Sequence, residues 1–175
     1  SNGVPNQTRD TWFTYTDYGT WLPNGVRMPG MLASTTIDGP IAGSGDVVVT
    51  KYDNQGNLVS EENSLGHKVT YSGHNGLGQP TRVMGINGDI TDYTLDGRGR
   101  VTRVRTYPNG TSSADTTFTY DPNGQVASVT APDGLATGYE YDSNHRLTRK
   151  YRNVSGILSG GGTQEQQTYL YDSAS

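Results

Sequence analysis

The strongest constraint in this sequence is a short pattern that returns at near-regular intervals. Tyr120-Asp121-Pro122-Asn123-Gly124-Gln125-Val126 has counterparts in Tyr52-Asp53-Asn54-Gln55-Gly56-Asn57-Leu58 and Tyr141-Asp142-Ser143-Asn144-His145-Arg146-Leu147. Looser copies begin at His74 and at Leu95, where Asp96 and Gly99 keep their places, and Tyr171-Asp172 opens a further one. The first residues fall at positions 52, 74, 95, 120, 141 and 171, at intervals of 22, 21, 25, 21 and 30. A period near 21 residues with insertions marks a repeat architecture. Such a unit is too short to bury a core by itself, so burial has to come from stacking neighbours.

Each period holds two turns. A second glycine lies midway between successive copies, at Gly66, Gly88, Gly110 and Gly134. Asn87-Gly88, Asn109-Gly110 and Asp133-Gly134 are dipeptides suited to hairpin turns with positive φ at both central residues. Aromatic and apolar residues pair at a separation of two before the turns: Phe13 and Tyr15, Tyr93 and Leu95, Phe118 and Tyr120, Tyr139 and Tyr141, Tyr169 and Tyr171. Residues two apart share one face of a strand. The pattern therefore predicts an all-β chain of consecutive antiparallel hairpins, with these pairs forming a ladder on one face. No stretch carries a helical period.

Composition agrees with thin, layered burial. The chain has 24 Gly, 8 Pro and 12 Tyr, and only 31% of its residues are hydrophobic. It contains no cysteine, which excludes disulfides and thiolate metal sites. A net charge of −4 without a basic cluster argues against nucleic acid as a partner. No apolar run reaches membrane-spanning length. Two regions are expected. Residues 1–45 form an irregular segment with a degenerate copy at Tyr15 to Leu22, and residues 46–175 form the repeat array, with a glycine-rich loop insertion at about 153–165.

The chemistry-bearing residues do not converge on an active site. The recurring aspartates suggest calcium ligation, but each copy offers a single carboxylate before a turn. A side chain there accepts backbone amides two residues on and shapes the turn. The tyrosine hydroxyls are expected to cap the same turn hydrogen bonds. His67, His74 and His145 are too scattered for zinc. Glu61 and Glu62 are adjacent and point to opposite strand faces, a poor acid–base pair. Trp12 and Trp21 offer flat faces for stacking on sugar rings, or serve equally as part of a β ladder. Arg98 and Arg100 are expected on one face, Arg103 and Arg105 on the other. No cofactor is implied.

The series Tyr-Asp-x-x-Gly-x-Leu, from about Tyr52 to the end, resembles the YD repeat of the Rhs family. That family includes bacterial polymorphic toxins, wall-associated proteins, insecticidal toxin-complex subunits and teneurins. The resemblance implies a β array that spirals into a hollow shell around a C-terminal effector domain, in a protein that is secreted or held at the bacterial surface. The repeat-defining residues it marks are Tyr52, Asp53, Gly56, Asp96, Gly99, Tyr120, Asp121, Gly124, Tyr141, Asp142, Tyr171 and Asp172. It also implies that this chain is a non-catalytic piece of a longer array, whose partners are the rest of the array and the effector. The alternative within the resemblance is a carbohydrate-binding adhesive module. His74 and Leu95 depart from the leading tyrosine, and His145 departs from the glycine. Some Rhs shells end in a self-cleaving segment with Asp-Pro-x-Gly, but Asp121-Pro122-Asn123-Gly124 sits inside an ordinary repeat and reads as a turn. Exposed strand edges of an excised array are expected to favour self-association.

Overall fold

A computed structural model describes residues 10–23, 27–40, 45–108, 112–153 and 164–172. Among them there is no helix, and fifteen strands account for the regular structure. The chain forms two compact units, Ser1–Ile90 and Thr91–Ser175.

In the first unit β1 (Trp12–Asp17) pairs with β4 (Leu32–Asp38), followed by β5 (Val47–Tyr52), β6 (Leu58–Asn63), β7 (Lys68–Ser72) and β8 (Arg82–Met84). Two short strands, β2 (Thr20–Trp21) and β3 (Arg27–Met28), make a separate ribbon. The second unit runs β9 (Ile90–Leu95), β10 (Val101–Tyr107), β11 (Ala114–Tyr120), β12 (Val126–Thr130), β13 (Ala136–Tyr141), β14 (Leu147–Asn153) and β15 (Gln164–Thr168). Every registered pair is antiparallel and, the β2–β3 ribbon apart, joins strands that are neighbours in this order. The chain is thus all-β and built from consecutive hairpins. The insertion expected at about 153–165 falls largely outside the described residues, as do Asn109 and Gly110.

The turns share one chemistry. In each, the first residue's amide donates to the carbonyl of the fifth, and the fourth residue's amide donates back to the first residue's carbonyl. The pairs Asp53–Asn57, Asn63–His67, Asn75–Gln79, Gly85–Asp89, Asp96–Arg100, Asp121–Gln125, Ala131–Leu135 and Asp142–Arg146 all follow it. The fourth residue has positive φ: Gly56, Gly66, Gly78, Gly88, Gly99, Gly124, Gly134 and, without glycine, His145 at 63°. This is the three-residue hairpin loop in which a type I turn is followed by a left-handed residue. It corrects the expectation of positive φ at both central positions, because Asn87 and Asp133 keep ordinary negative φ. The physical reason is loop length. With three loop residues instead of two, glycine occupies the last position and is the one residue that must turn left-handed.

A second irregularity follows the turns at 53–57, 121–125 and 142–146. Lys51 faces Ser60 and Tyr52 faces Leu58, so Val59 is an extra residue. Ala127 is extra in the same way opposite Thr119 and Tyr120, and Thr148 opposite Glu140 and Tyr141. These are β-bulges, two residues facing one, which raise local twist and re-aim neighbouring groups.

Register assigns the faces. In the second unit Val104, Thr116, Phe118, Val129, Thr137 and Tyr139 share one face, and Arg103, Arg105, Asp115, Thr117, Thr119, Ser128, Thr130 and Gly138 share the other. Burial is shallow throughout: among the described residues only Ser60, Ala136 and Gly138 are buried. Gly138 lies opposite Tyr151, and a Cβ there would run into the Tyr151 ring. The glycine thus lets an aromatic ring lie flat on the sheet, with the Arg149 guanidinium 4.4 Å above it.

Candidate functional site

The residues that recur in sequence meet at the turn-bearing end of the strands. In the second unit this end carries the turns at 96–100, 121–125 and 142–146. Asp96 Oδ1 accepts the amides of Arg98 and Arg100, each at 2.9 Å. Asp142 Oδ1 does the same for Asn144 and Arg146, each at 2.9 Å. In the first unit Asp53 Oδ1 accepts from Gln55 at 2.9 Å and Asn57 at 2.8 Å. Asn63 and Asn75 use their amide oxygens identically, so the role needs an acceptor and not a charge.

The second carboxylate oxygen holds the side chain of the fifth turn residue. Asn57 Nδ2 donates to Asp53 Oδ2 at 2.9 Å, Arg100 Nε to Asp96 Oδ2 at 2.7 Å, and Arg146 Nε to Asp142 Oδ2 at 2.8 Å. Those side chains then reach the next repeat. Arg100 lies 4.2 Å from the Tyr120 ring centroid and Arg146 lies 4.5 Å from that of Tyr171. Gln125 donates to the His145 carbonyl at 2.9 Å and accepts from His145 Nδ1 at 3.0 Å.

The leading tyrosines complete the link. Tyr120 donates its hydroxyl to the Val101 carbonyl at 2.6 Å, Tyr141 to Val126 at 3.0 Å, and Tyr171 to Leu147 at 2.7 Å. His74 takes the same part, with Nε2 2.9 Å from the Leu58 carbonyl, which makes Nε2 the protonated nitrogen. Tyr18 in the degenerate copy donates to the Tyr52 carbonyl at 2.5 Å. The hydroxyls therefore do not cap their own turns. Those of Tyr120, Tyr141 and Tyr171, and the ring of His74, bind the carbonyl of the apolar residue one repeat earlier, whereas Tyr18 bonds forward in the chain; at Leu58, Val126 and Leu147 the accepting residue stands beside a bulge. The arrangement couples repeats, and its reach across a period is why single-copy reasoning missed it. The polar residue after the left-handed turn position (Asn57, Gln79, Arg100, Gln125, Arg146) was the available signal.

Electrostatics follow the hydrogen bonds. The Arg100 amide, and then its guanidinium, hold the Asp96 carboxyl below its ordinary value. The Arg146 amide does the same for Asp142, and the Asn57 side chain for Asp53. Away from the turns, Arg105 holds Asp115 down through hydrogen bonds of 2.6 and 2.7 Å. Arg103 joins that carboxylate at 3.3 Å, so Arg103 and Arg105 share a face while Arg98 and Arg100 belong to the turn.

Trp12 lies on β1 and is 67% exposed, whereas Trp21 lies on β2, and the two belong to different sheets. Tyr171 and Asp172 follow β15 and are exposed. Open clefts lie among the described residues. One, of about 370 Å³, is lined by Thr137, Lys150, Tyr151, Arg152 and Glu165 among others. Another, of about 480 Å³, lies between the turns carrying Asp96 and Asp121. Among the described residues no three His, Cys, Asp or Glu side chains gather as a metal group, and no helix is long and apolar enough to cross a membrane.

Comparison with known proteins agrees with this geometry. The RHS Repeat family matches residues 74–112 and 116–157. Among curated proteins no sequence matches. Similar solved structures include the crystal structure of TcdB2-TccC3-Cdc42, with a TM-score of 0.59 and 21% identity over 90% of this chain and 9% of that one. Another is TcdB2-TccC3 without its hypervariable C-terminal region, with a TM-score of 0.59 and 13% identity over 94% of this chain and 10% of that one. These likenesses are of fold, and this chain spans a small part of either protein. With a repeating Tyr-Asp turn, the family match and the same fold in its structural relatives, residues 74–112 and 116–157 are identified as Rhs, or YD, repeats, and the chain as a structural segment built on them.

Proposed function

We propose that this segment is a non-catalytic part of the wall of a secreted or surface-held bacterial Rhs-type protein, whose array encloses a C-terminal effector. The observation that carries this reading is the repeat-to-repeat bond. Tyr120, Tyr141 and Tyr171 each tie their strand to the carbonyl one repeat earlier, so the chain extends by adding like units edge to edge. A chain linked this way makes a continuous thin wall. It works by steric exclusion, with no reacting group. The partners are the remaining repeats and the effector. The structural relatives support the reading, since one is described as having a hypervariable C-terminal region.

Limited proteolysis of the complete parent protein tests it. Tyr120→Phe and Tyr141→Phe together are expected to open the wall and make the C-terminal domain cleavable under conditions where the unaltered protein resists. A C-terminal domain equally cleavable in the unaltered protein sinks the enclosure reading. Turnover in a hydrolase screen of the isolated chain sinks the non-catalytic one.

The exposure of Trp12 favours a second reading, a carbohydrate-adhesive face. Saturable binding on a glycan array, lost in Trp12→Ala, would establish it.

A further inference from the structure

The left-handed turn glycines meet two different surroundings. Gly66, Gly88 and Gly134 stand fourth in the turns at 63–67, 85–89 and 131–135, and a Cβ placed on any of them meets no atom of the described residues within 4 Å. Gly56, Gly78 and Gly124 stand fourth in turns that open a repeat, at 53–57, 75–79 and 121–125, and share the same left-handed φ. Each of these has a side chain from the preceding repeat against it. A Cβ on Gly56 would lie 2.7 Å from Met31 Cε, one on Gly78 3.1 Å from Asn57 Oδ1, and one on Gly124 3.6 Å from Arg100 Nη1. His145, which stands where the others have glycine, is met by Gln125.

The four visiting residues hold one position. Asn57, Arg100 and Gln125 are the fifth residues of their turns, each directly before a strand. Met31 is their counterpart in the degenerate copy. Its carbonyl accepts the Tyr18 amide at 2.8 Å, as the Asn57 carbonyl accepts that of Asp53 at 2.9 Å, and β4 begins at the next residue.

We propose that the fifth residue of each repeat-opening turn is a specificity determinant, which reads the fourth residue of the following turn and so decides which repeat can stand next. Glycine at the fourth place is then required twice, by its φ and by the side chain laid over it. Met31 and Asn57 lie closer than ordinary contact with a Cβ allows. Arg100 leaves room for a Cβ, but a longer side chain would run into a guanidinium that Asp96 already holds through Nε at 2.7 Å. Gln125 differs because its carboxamide has both a donor and an acceptor. It spends Nε2 on the His145 carbonyl at 2.9 Å, so Oε1 faces His145 Nδ1 at 3.0 Å and that nitrogen carries the proton. Glutamine thus admits a side chain where methionine, asparagine and arginine exclude one. The proposal rests on these contacts alone and holds whether or not the array encloses an effector.

Moving the histidine tests it. Gly124→His is expected to lower the urea midpoint of this chain further than Gly134→His does, since both positions carry left-handed strain and only the first meets Arg100. Combined with Arg100→Gln, Gly124→His should do better than additivity, by about fivefold in the folding equilibrium constant, the scale of one hydrogen bond. Arg100→Gln with Gly134→His is the control and should be additive. A second readout needs no change at a glycine. Nitrogen-15 spectra should place the His145 ring proton on Nδ1 in the unaltered chain. It should stay there in Gln125→Glu, whose carboxylate still accepts, and move to Nε2 in Gln125→Ala. An additive cycle at Gly124 overturns the proposal, and so does equal coupling at Gly134. Where Gly124→His fails to fold, a His145 proton on Nε2 in the unaltered chain, or one unmoved by Gln125→Ala, overturns it.

Discussion

The Tyr120 hydroxyl donates to the Val101 carbonyl at 2.6 Å, across nineteen residues and from one repeat to the one before. Removing that hydroxyl leaves a part-buried carbonyl without its donor. Tyr120→Phe should cost about 1 kcal/mol, the usual net worth of such a bond, read from the urea midpoint. His74→Tyr should be tolerated and His74→Phe should not, since the position needs a donor. Equal stability of both His74 variants would show that the contact contributes packing alone.

The left-handed position gives a paired prediction. Gly124 has a φ of 93°, so Gly124→Ala should destabilise by about 1 kcal/mol. His145 already bears that strain at 63°. His145→Gly removes it and loses one bond to Gln125 while keeping the backbone one. The chain should become slightly more stable, and a clear loss would mean that the Gln125–His145 side-chain contact outweighs the strain.

Three turn carboxylates and one strand carboxylate set an acid limit. Asp53, Asp96, Asp115 and Asp142 are all held below the ordinary value of 3.8. The unfolded chain therefore takes up protons before the folded one as pH falls. Stability from these groups is complete above 3.8 and is lost as pH drops through the folded values. Denaturation midpoints between pH 7 and pH 2 should be level near neutrality and fall at the acid end. A midpoint unchanged at pH 2 would contradict the hydrogen bonds assigned to Oδ1 and Oδ2.

Charge and acceptor roles can be separated at the turns. Asp53→Asn should be well tolerated, because Asn63 and Asn75 show an amide oxygen accepting the same two amides. Asp96→Asn should lower the midpoint more, since Arg100 loses its ionic anchor while stacked on Tyr120. Measuring both midpoints side by side checks this, and equal effects would deny Arg100 any dependence on the charge.

Gly138 tests the flat aromatic contact. Gly138→Ala places a methyl where the Tyr151 ring lies and should destabilise on the order of 1 kcal/mol. In a Tyr151→Ala background the same change should be nearly silent. A double-mutant cycle that shows simple additivity would remove the contact from consideration.

Much of this was legible because it is local. The recurrence of Asp and Gly three residues apart announces turns, and Phe118 and Tyr120 announce a strand, through preferences that act within a few residues. What stayed hidden acts across a period. The Tyr141–Val126 bond lies beside the bulge at Ala127, and nothing in the residues 126–128 signals a bulge. The type of the Asn87-Gly88 turn was misread for a related reason, because it depends on which residues pair across the loop and not on the dipeptide. His74 read as a departure from the pattern until its Nε2 proved to occupy the place of a hydroxyl.

Strand order that follows chain order has a consequence for how the protein is made. When each strand's partner has already been synthesised, a growing chain needs nothing downstream in order to settle. Hairpin contacts close small loops, which is quick. The array can therefore assemble repeat by repeat as it is synthesised, each newly emerging repeat finding the previous one's carbonyl waiting for its tyrosine.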